Sequence, residues 1–297
     1  MNKYEKYNMY KKLKQHLKRY PLVIKLRRSP YRIRLWLRDV ASAYLSKSTK
    51  MKMTPYGFKL TGSSSIHHLA MQEGTFEHEE TILFKEHSRS IDVFVDVGAN
   101  IGFYTCLARL ADKHVIAFEP LPRNLEYLYA NILANNWKDV EVFPIGLSES
   151  PGLATLYGGS STGASLIGSW AGASKLFRRI ISVSTLDILL GVRLAGKKML
   201  IKIDVEGTEY PVLLGATNVM RMQPKPTWIV EICLNEFHPD GMNPNFQDTF
   251  NLFWRHGYEA HTANQRNQLI QPADVDRWIR DGRCDSGTIN YEFAPVD

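Results

Sequence analysis

From residue 91 onward the chain alternates between two textures. Short apolar runs (IDVFVDV, HVIAFE, VEVFPI, KMLIKID, TWIVEI, YEAHT and TINYEF) begin at residues 91, 114, 140, 198, 227, 258 and 288. Segments of helical character separate most of them: FYTCLARLA, RNLEYLYANILANN and TEYPVLLGAT. No other feature narrows the fold as much. Near-continuous apolar strands need cover on both faces, and helices that cross from one parallel strand to the next supply it. The expectation is an α/β domain over residues 91–297, built on a doubly wound, mostly parallel sheet. YEAHT and TINYEF show no clear helix between them and are expected to form an antiparallel edge. The stretch SPGLATLYGGSSTGASLIGSWAGASK, residues 150–175, is rich in Gly and Ser and reads as a loop or small hairpin, suited to a mobile lid.

Charge is distributed unevenly. Residues 1–50 hold 15 Lys and Arg against Glu5 and Asp39, a local +13 in a chain of net +7, so the remaining residues carry −6. The basic character therefore belongs to a leader, which argues against a nucleic-acid-binding core. Within the leader, Ile33, Trp36, Leu37, Val40 and Tyr44 fall on one helical face after Ser29 and Pro30, a capping residue and a residue suited to the first turn. The expectation is a basic amphipathic arm over 1–50, able to lie on an anionic membrane surface or to pack on the protein itself. Residues 51–90 form a bridging segment, with a helix expected after the acidic run at Glu77, Glu79 and Glu80. Cys106, Cys233 and Cys284 are too scattered for a disulfide framework or a zinc site and fit a reducing, cytoplasmic compartment. Neither a membrane-spanning apolar run nor a secretory signal is evident.

The first apolar run ends in DVGANIG. Gly98 and Gly102 flank Asn100 directly after Asp96, a turn in which backbone can approach a ligand closely. In open α/β sheets ligands bind at the carboxyl ends of the strands, where the chain order reverses. Glu119 closes the second run, 21 residues after Gly98, where a carboxylate can take both hydroxyls of a ribose. A glycine turn followed by that acid reads as a nucleoside site. The dinucleotide pattern GxGxxG is absent, and Asp96 would repel a pyrophosphate. A cationic nucleoside such as S-adenosylmethionine (SAM) fits better than NAD.

The motifs DVGANIG, FEP, LD and KIDVEG(x)E occur in order within VDVGANIGFYT, FEPLPRNLEYLYANILANN, STLDILL and IKIDVEGTEYPVLLGA. Together they resemble the FkbM family of SAM-dependent methyltransferases over roughly residues 70–262. The resemblance implies the class I methyltransferase fold, Rossmann-like with seven mostly parallel strands, and O-methylation of hydroxyls on sugars and polyketide-type products. It implies that Asp96, Gly98, Asn100 and Gly102 hold the methionine portion of SAM, that Glu119 holds the ribose, and that Gly146, Leu147 and Ser148 edge the adenine pocket.

A hydroxyl is a weak methyl acceptor, and a base beside it or a metal that acidifies it would help. Acids cluster at two strand ends. Asp204 and Glu206 follow KMLIKI, with Glu209 just beyond. Glu231 closes TWIVE, with His238 downstream in HPDGMNPNF. Asp204 or Glu206 is a candidate base if burial raises its pKa, His238 is a neutral-pH alternative, and Asp204 with Glu231 is a candidate Mg²⁺ pair. His67, His68, His78 and His87 show no metal spacing and stay unassigned. Residues 150–178 and the HPDGMNPNF segment are candidates for the acceptor wall, with Trp170, Phe246 and Trp254 as rings for a sugar to stack on. The reading is a SAM-dependent O-methyltransferase acting on a sugar of a polysaccharide, glycolipid or glycosylated natural product at the cytoplasmic membrane face. The alternatives are N-methylation of a peptide or small amine and a non-catalytic SAM-binding module. Oligomeric state is open.

Overall fold

The computed structural model describes residues 48–158, 162–173 and 175–296. The amphipathic stretch expected at 29–45 lies outside these residues. Among the described residues the central sheet has eight strands, in the order β12-β11-β13-β10-β9-β3-β4-β5. These are β3 (Val93–Val97), β4 (His114–Phe118), β5 (Val140–Phe143), β9 (Met199–Ile203), β10 (Thr227–Glu231), β11 (Tyr258–Thr262), β12 (Leu269–Ile270) and β13 (Asn290–Pro295). β3 pairs in parallel with β4 on one side and β9 on the other, and β9 pairs in parallel with β10. The chain therefore runs outward through β3, β4 and β5, then returns to build the other half from β9. That reversal lies between β3 and β9, so a crevice opens above their carboxyl ends.

The alternation of side chains in these strands builds two cores. Val93, Val95, Val97, Ile201 and Ile203 face one layer, with Leu213, Phe250 and Phe253. Phe94, Leu200 and Ile229 face the other, with Phe103, Leu107 and Leu128. Each fully buried side chain of this size stabilises the fold by roughly 1.5–3 kcal/mol. The covering helices include α3 (Phe103–Leu110), α4 (Pro122–Ala134), α6 (Glu209–Leu214) and α7 (Phe246–Arg255). Phe246 is buried in the first core, Trp254 packs half-buried against it, and neither ring lines the large cavity described below.

The edge differs from the expectation. β13 is not an edge strand but lies between β10 and β11, antiparallel to both. α7 carries the chain from β10 to β11 across a one-strand gap, and the returning chain end fills it. A helix, α8 (Pro272–Asp281), intervenes after β12. The two residues of β12 extend the sheet beyond the expected seven strands.

Residues 51–90 do more than connect. They supply β1 (Lys52–Met53) and β2 (Lys59–Leu60), a short hairpin, and the helices α1 (Ile66–Glu73) and α2 (His78–His87). Phe58, Leu60, Met71 and Phe84 are buried in the second core, with Phe84 edge-on to Phe94 at 4.8 Å between centroids. The Gly/Ser-rich stretch hangs from a separate three-stranded sheet of β6 (Gly146–Leu147), β7 (Gly152–Tyr157) and β8 (Arg178–Ser184). β7 and β8 pair antiparallel, so the chain that joins them, residues 158–177, is an excursion between the arms of a hairpin, described at 158, 162–173 and 175–177.

Candidate active site

A cavity of about 740 Å³ lies above the carboxyl ends of β3, β4, β9 and β10. Its first wall is the turn after β3. Gly98 has φ +87°, and a Cβ there would lie 1.9 Å from the carbonyl oxygen of Asp204. Glycine is needed at 98 chiefly because the β9 loop abuts the β3 turn at this point. Asn100, also left-handed at φ 53°, donates its backbone N–H to Glu119 Oε2 at 2.8 Å. The other oxygen of Glu119 accepts the Leu121 N–H at 2.7 Å. Burial pushes the Glu119 carboxyl up to about 7, against the pull of those two N–H groups. Beyond Glu119 the wall becomes an apolar slot of Pro120, Ile145, Gly146, Leu147 and Ile181.

The opposite wall is acidic. Asp204, Glu231 and Glu77 each place a carboxylate oxygen within 4.8 Å of the others, and all three line the cavity. Lys202 sits beneath them, only 3% exposed on the fully buried strand β9. Its Nζ is 2.8 Å from Asp204 Oδ2 and 4.0 Å from Glu77 Oε2. Burial alone would discharge the ammonium, but Asp204 and then Glu77 hold it charged, well above the ordinary lysine range. The Tyr104 hydroxyl donates to Glu77 at 2.7 Å, and its ring lies 4.8 Å below the ammonium. Burial raises the carboxyl of Glu77 and raises that of Glu231 strongly, with Asp204 adding repulsion at both. Glu77 joins the Asp204–Glu231 pair expected to hold Mg²⁺, and Lys202 offsets part of the charge of this three-carboxylate group.

An apolar slot next to an acidic chamber thus lies at the switch point of a sheet ordered β5-β4-β3-β9-β10-β13-β11. The sequence model of the methyltransferase FkbM domain matches residues 96–260, more than half of the chain. This chain belongs to the FkbM methyltransferase family. It is a SAM-dependent methyltransferase with the class I fold. No curated protein shows significant sequence similarity to it. Among solved structures it is similar to the YcgJ protein from Bacillus subtilis, at 12% identity over 74% of this chain and 100% of that one, with a TM-score of 0.39. It is also similar to a putative RNA methyltransferase from Pyrococcus horikoshii, at 14% identity over 73% and 84% of the two chains, with a TM-score of 0.35. The precorrin-6y C5,15-methyltransferase from Geobacter metallireducens matches at 12% identity over 61% and 71%, with a TM-score of 0.35.

In this FkbM methyltransferase the expected cofactor residues divide. Gly98, Asn100, Glu119, Gly146 and Leu147 line the cavity. Asp96, Gly102 and Ser148 are not among its lining residues. Asp96 is buried beneath the turn, where Oδ2 accepts the Thr105 hydroxyl at 2.6 Å and burial pushes its carboxyl up to about 6. It ties α3 to β3 and so holds the turn from behind. Gly102 begins α3 at φ +87°, and a Cβ there would press to 2.4 Å from Leu128. The Ser148 N–H is spent on the Ser184 carbonyl at 2.9 Å.

The catalytic candidates divide too. Asp204 and Glu231 face the chamber. Glu206 reaches the cavity, but both its oxygens are taken: Oε1 by the Gly163 N–H at 3.1 Å, Oε2 by the Trp170 indole N–H at 2.7 Å. Its backbone oxygen accepts the Ser165 hydroxyl at 2.5 Å, and its φ is a left-handed 59°. Glu206 is thus the anchor of the 158–177 excursion and not a free base, although burial and then Asp204 raise its carboxyl to about 7. Trp170 is buried and lines the cavity, its ring seated where a Cβ on Gly207 would clash at 2.3 Å. His238 lies outside the chamber, edge-on to Trp170 at 5.3 Å. Of the HPDGMNPNF region, the neighbouring Phe237 reaches the cavity.

Glu77 and Lys202 escaped the sequence reading. Glu77 looked like a dipole partner for its helix, and nothing local ties it to a strand end more than a hundred residues later. Lys202 did carry a signal: a cation inside an otherwise apolar strand needs a buried partner. Among the described residues no helix is long and apolar enough to cross a membrane.

Proposed function

We propose that the enzyme methylates a hydroxyl of a sugar, within a polysaccharide, glycolipid or glycosylated natural product, with Asp204 receiving the hydroxyl proton. One observation supports this above the rest. The cofactor turn and the acidic strand tip touch, since a Cβ on Gly98 would fall 1.9 Å from the Asp204 carbonyl oxygen. A methyl donor held by that turn lies next to the carboxylates. SAM, when bound, supplies a methyl on a sulfonium that is open to direct displacement: the C–S bond breaks as the new O–C bond forms. Asp204 keeps one oxygen on Lys202 at 2.8 Å, which fixes the carboxylate and holds it ready for the departing proton. Glu77 and Glu231 flank it as acceptors or donors for neighbouring hydroxyls of the ring. Trp170, Phe237 and the excursion that Glu206 anchors close the acceptor side.

The surplus of carboxylates over Lys202 favours a second reading, N-methylation of an amine. Incubation with methyl-labelled SAM and a panel of free, nucleotide-linked and lipid-linked sugars beside small amines and peptides separates the two, with the linkage read by mass spectrometry. Asp204→Asn should lower kcat for a hydroxyl acceptor about 100- to 10,000-fold while leaving SAM affinity within a few-fold. Transfer to amines alone would overturn the sugar reading. In this reading the basic residues 1–50 bring the enzyme to an anionic membrane where lipid-linked glycans are assembled. Cosedimentation with anionic vesicles that weakens with salt, and is lost on removal of residues 1–50, is the check.

A further inference from the structure

His68 lies before the region that matches the family and had no role in the sequence reading, yet it is fully buried at 0% exposure against the cofactor turn. Its place is built. Ser65 caps α1 by accepting the His68 backbone N–H at 3.3 Å, so the first turn of the helix holds the residue. Gly62 leaves room for the ring, since a Cβ there would stand 3.0 Å from Nδ1. Tyr127 packs against it edge-on at 6.1 Å. The Ser63 backbone N–H donates to Nδ1 at 2.9 Å. A ring nitrogen that accepts an N–H carries no proton, so the neutral ring keeps its proton on Nε2. Nε2 lies 2.9 Å from Asn100 Oδ1 and donates to it. Burial keeps the ring neutral, with its pKa pulled down to about 4 although the Asn100 bond opposes this.

The consequence falls on Asn100. An asparagine amide can turn over and present either end. Here the carbonyl end is bound by His68, so the NH₂ end is left for the cavity that Asn100 lines. The backbone N–H of the same residue is fixed on Glu119 Oε2 at 2.8 Å. One chain of hydrogen bonds therefore runs from the Ser63 N–H through His68 and Asn100 to Glu119.

We infer that His68 is a positioning residue for the cofactor: it locks the Asn100 amide with its NH₂ donors toward the cavity, where they bind the carboxylate of the amino-acid portion of SAM. This rests on the SAM reading of the site and deepens it. It also makes the segment 62–68 part of the cofactor site.

The test is calorimetric titration of the full chain with SAM and with 5′-methylthioadenosine, which has the nucleoside and sulfur but no amino-acid carboxylate. The proteins are the parent, His68→Ala, His68→Gln, Asn100→Ala and the His68→Ala/Asn100→Ala double variant, each checked by thermal melting. His68→Ala should weaken SAM about 10-fold. It should leave 5′-methylthioadenosine within about 2-fold, and the double variant should be no weaker than Asn100→Ala alone. His68→Gln, which keeps a side-chain N–H near the Nε2 position, should recover most of the SAM affinity. With a saturating dose of SAM, kcat should stay near the parent's while the KM for SAM rises. Equal weakening of both ligands, or losses that add in the double variant, would show a merely structural role and overturn the inference. So would unchanged SAM binding by His68→Ala. Failure of the parent itself to bind SAM would instead overturn the cofactor reading on which the inference rests.

Discussion

The two ends of the cavity are made of different materials. At the β3–β4 end the cavity is a backbone turn, shaped by Gly98 and Asn100 in left-handed conformations, beside an apolar slot, with one carboxylate, Glu119, already steadied by two N–H groups. At the β9–β10 end it is side chains from distant parts of the sequence. Glu77 comes from the start of α2, Asp204 from the tip of β9, Glu231 from the tip of β10, and a single buried ammonium lies among them. The first end suits a ligand that never changes. The second concentrates negative charge and closes with an excursion, which suits a ligand with hydroxyls to sort. The difference is one of preorganisation: a backbone cradle is rigid because the fold depends on it, whereas a charge cluster holds its shape only while its counter-charge is present.

Breaking the acidic end at its counter-charge should have the largest effect on stability. Lys202→Met leaves Glu77, Asp204 and Glu231 without their buried cation and should cost about 3–5 kcal/mol in denaturant unfolding, more at pH 8 than at pH 6. At the cradle end, Gly98→Ala introduces a clash with the Asp204 carbonyl and a left-handed strain. It should cost roughly 3 kcal/mol and abolish SAM binding in whatever folds. Milder is Glu119→Gln, which keeps the size but loses the charge and turns an NH₂ toward one of the two backbone N–H groups, of Asn100 or Leu121, that the carboxylate accepts. It should raise the SAM Kd about 10-fold and leave the acceptor KM alone, which would sharpen the division of labour.

The pH response should run in opposite directions for stability and affinity. Burial raises Asp96 to about 6, Glu119 and Glu206 to about 7 and Glu209 to about 8. Over this range the native state keeps protons that the unfolded chain has released, so unfolding releases protons and rising pH favours it. The stability these groups contribute is full below the unfolded carboxylate range and is lost as pH rises through 6 to 8. The free enzyme should therefore melt a few degrees lower at pH 8 than at pH 6. SAM affinity should rise several-fold over the same interval if an ionised Glu119 takes the ribose hydroxyls, as the family resemblance implies. Smallest of all, Glu206→Gln should raise the acceptor KM a few-fold by loosening Gly163 and Trp170, with SAM affinity unchanged. A SAM defect in that variant would mean that the two ends are not separable.

The cradle was far more legible in the sequence than the acidic chamber. A glycine turn at the end of one strand and an acid at the end of the next are short-range patterns, because consecutive strands here are neighbours in the sheet. The strands themselves were readable for the same reason: burial on both faces leaves few polar residues, such as Asp96 and Lys202, to interrupt the run. What escaped was long-range. The insertion of β13 between β10 and β11 depends on which gap the chain end fills. Asp96 looked like a ligand-facing acid, but the pleat that aims Val95 and Val97 into one core aims it the other way, toward Thr105. Glu206 looked like a base by position, and only the path of residues 158–177 shows that its oxygens are occupied.

That path has an evolutionary consequence. The wall proposed for the acceptor is inserted between the two arms of a hairpin, β7 and β8, whose own pairing runs from Gly152–Val183 to Tyr157–Arg178, and Ser165 of the insert bridges back to Tyr157. Such a graft can lengthen, shorten or be replaced while the eight central strands keep their register, provided one acidic residue after β9 still catches its tip. A lineage built this way can change what it methylates by rewriting about twenty residues, while the machinery that carries the methyl group passes down untouched.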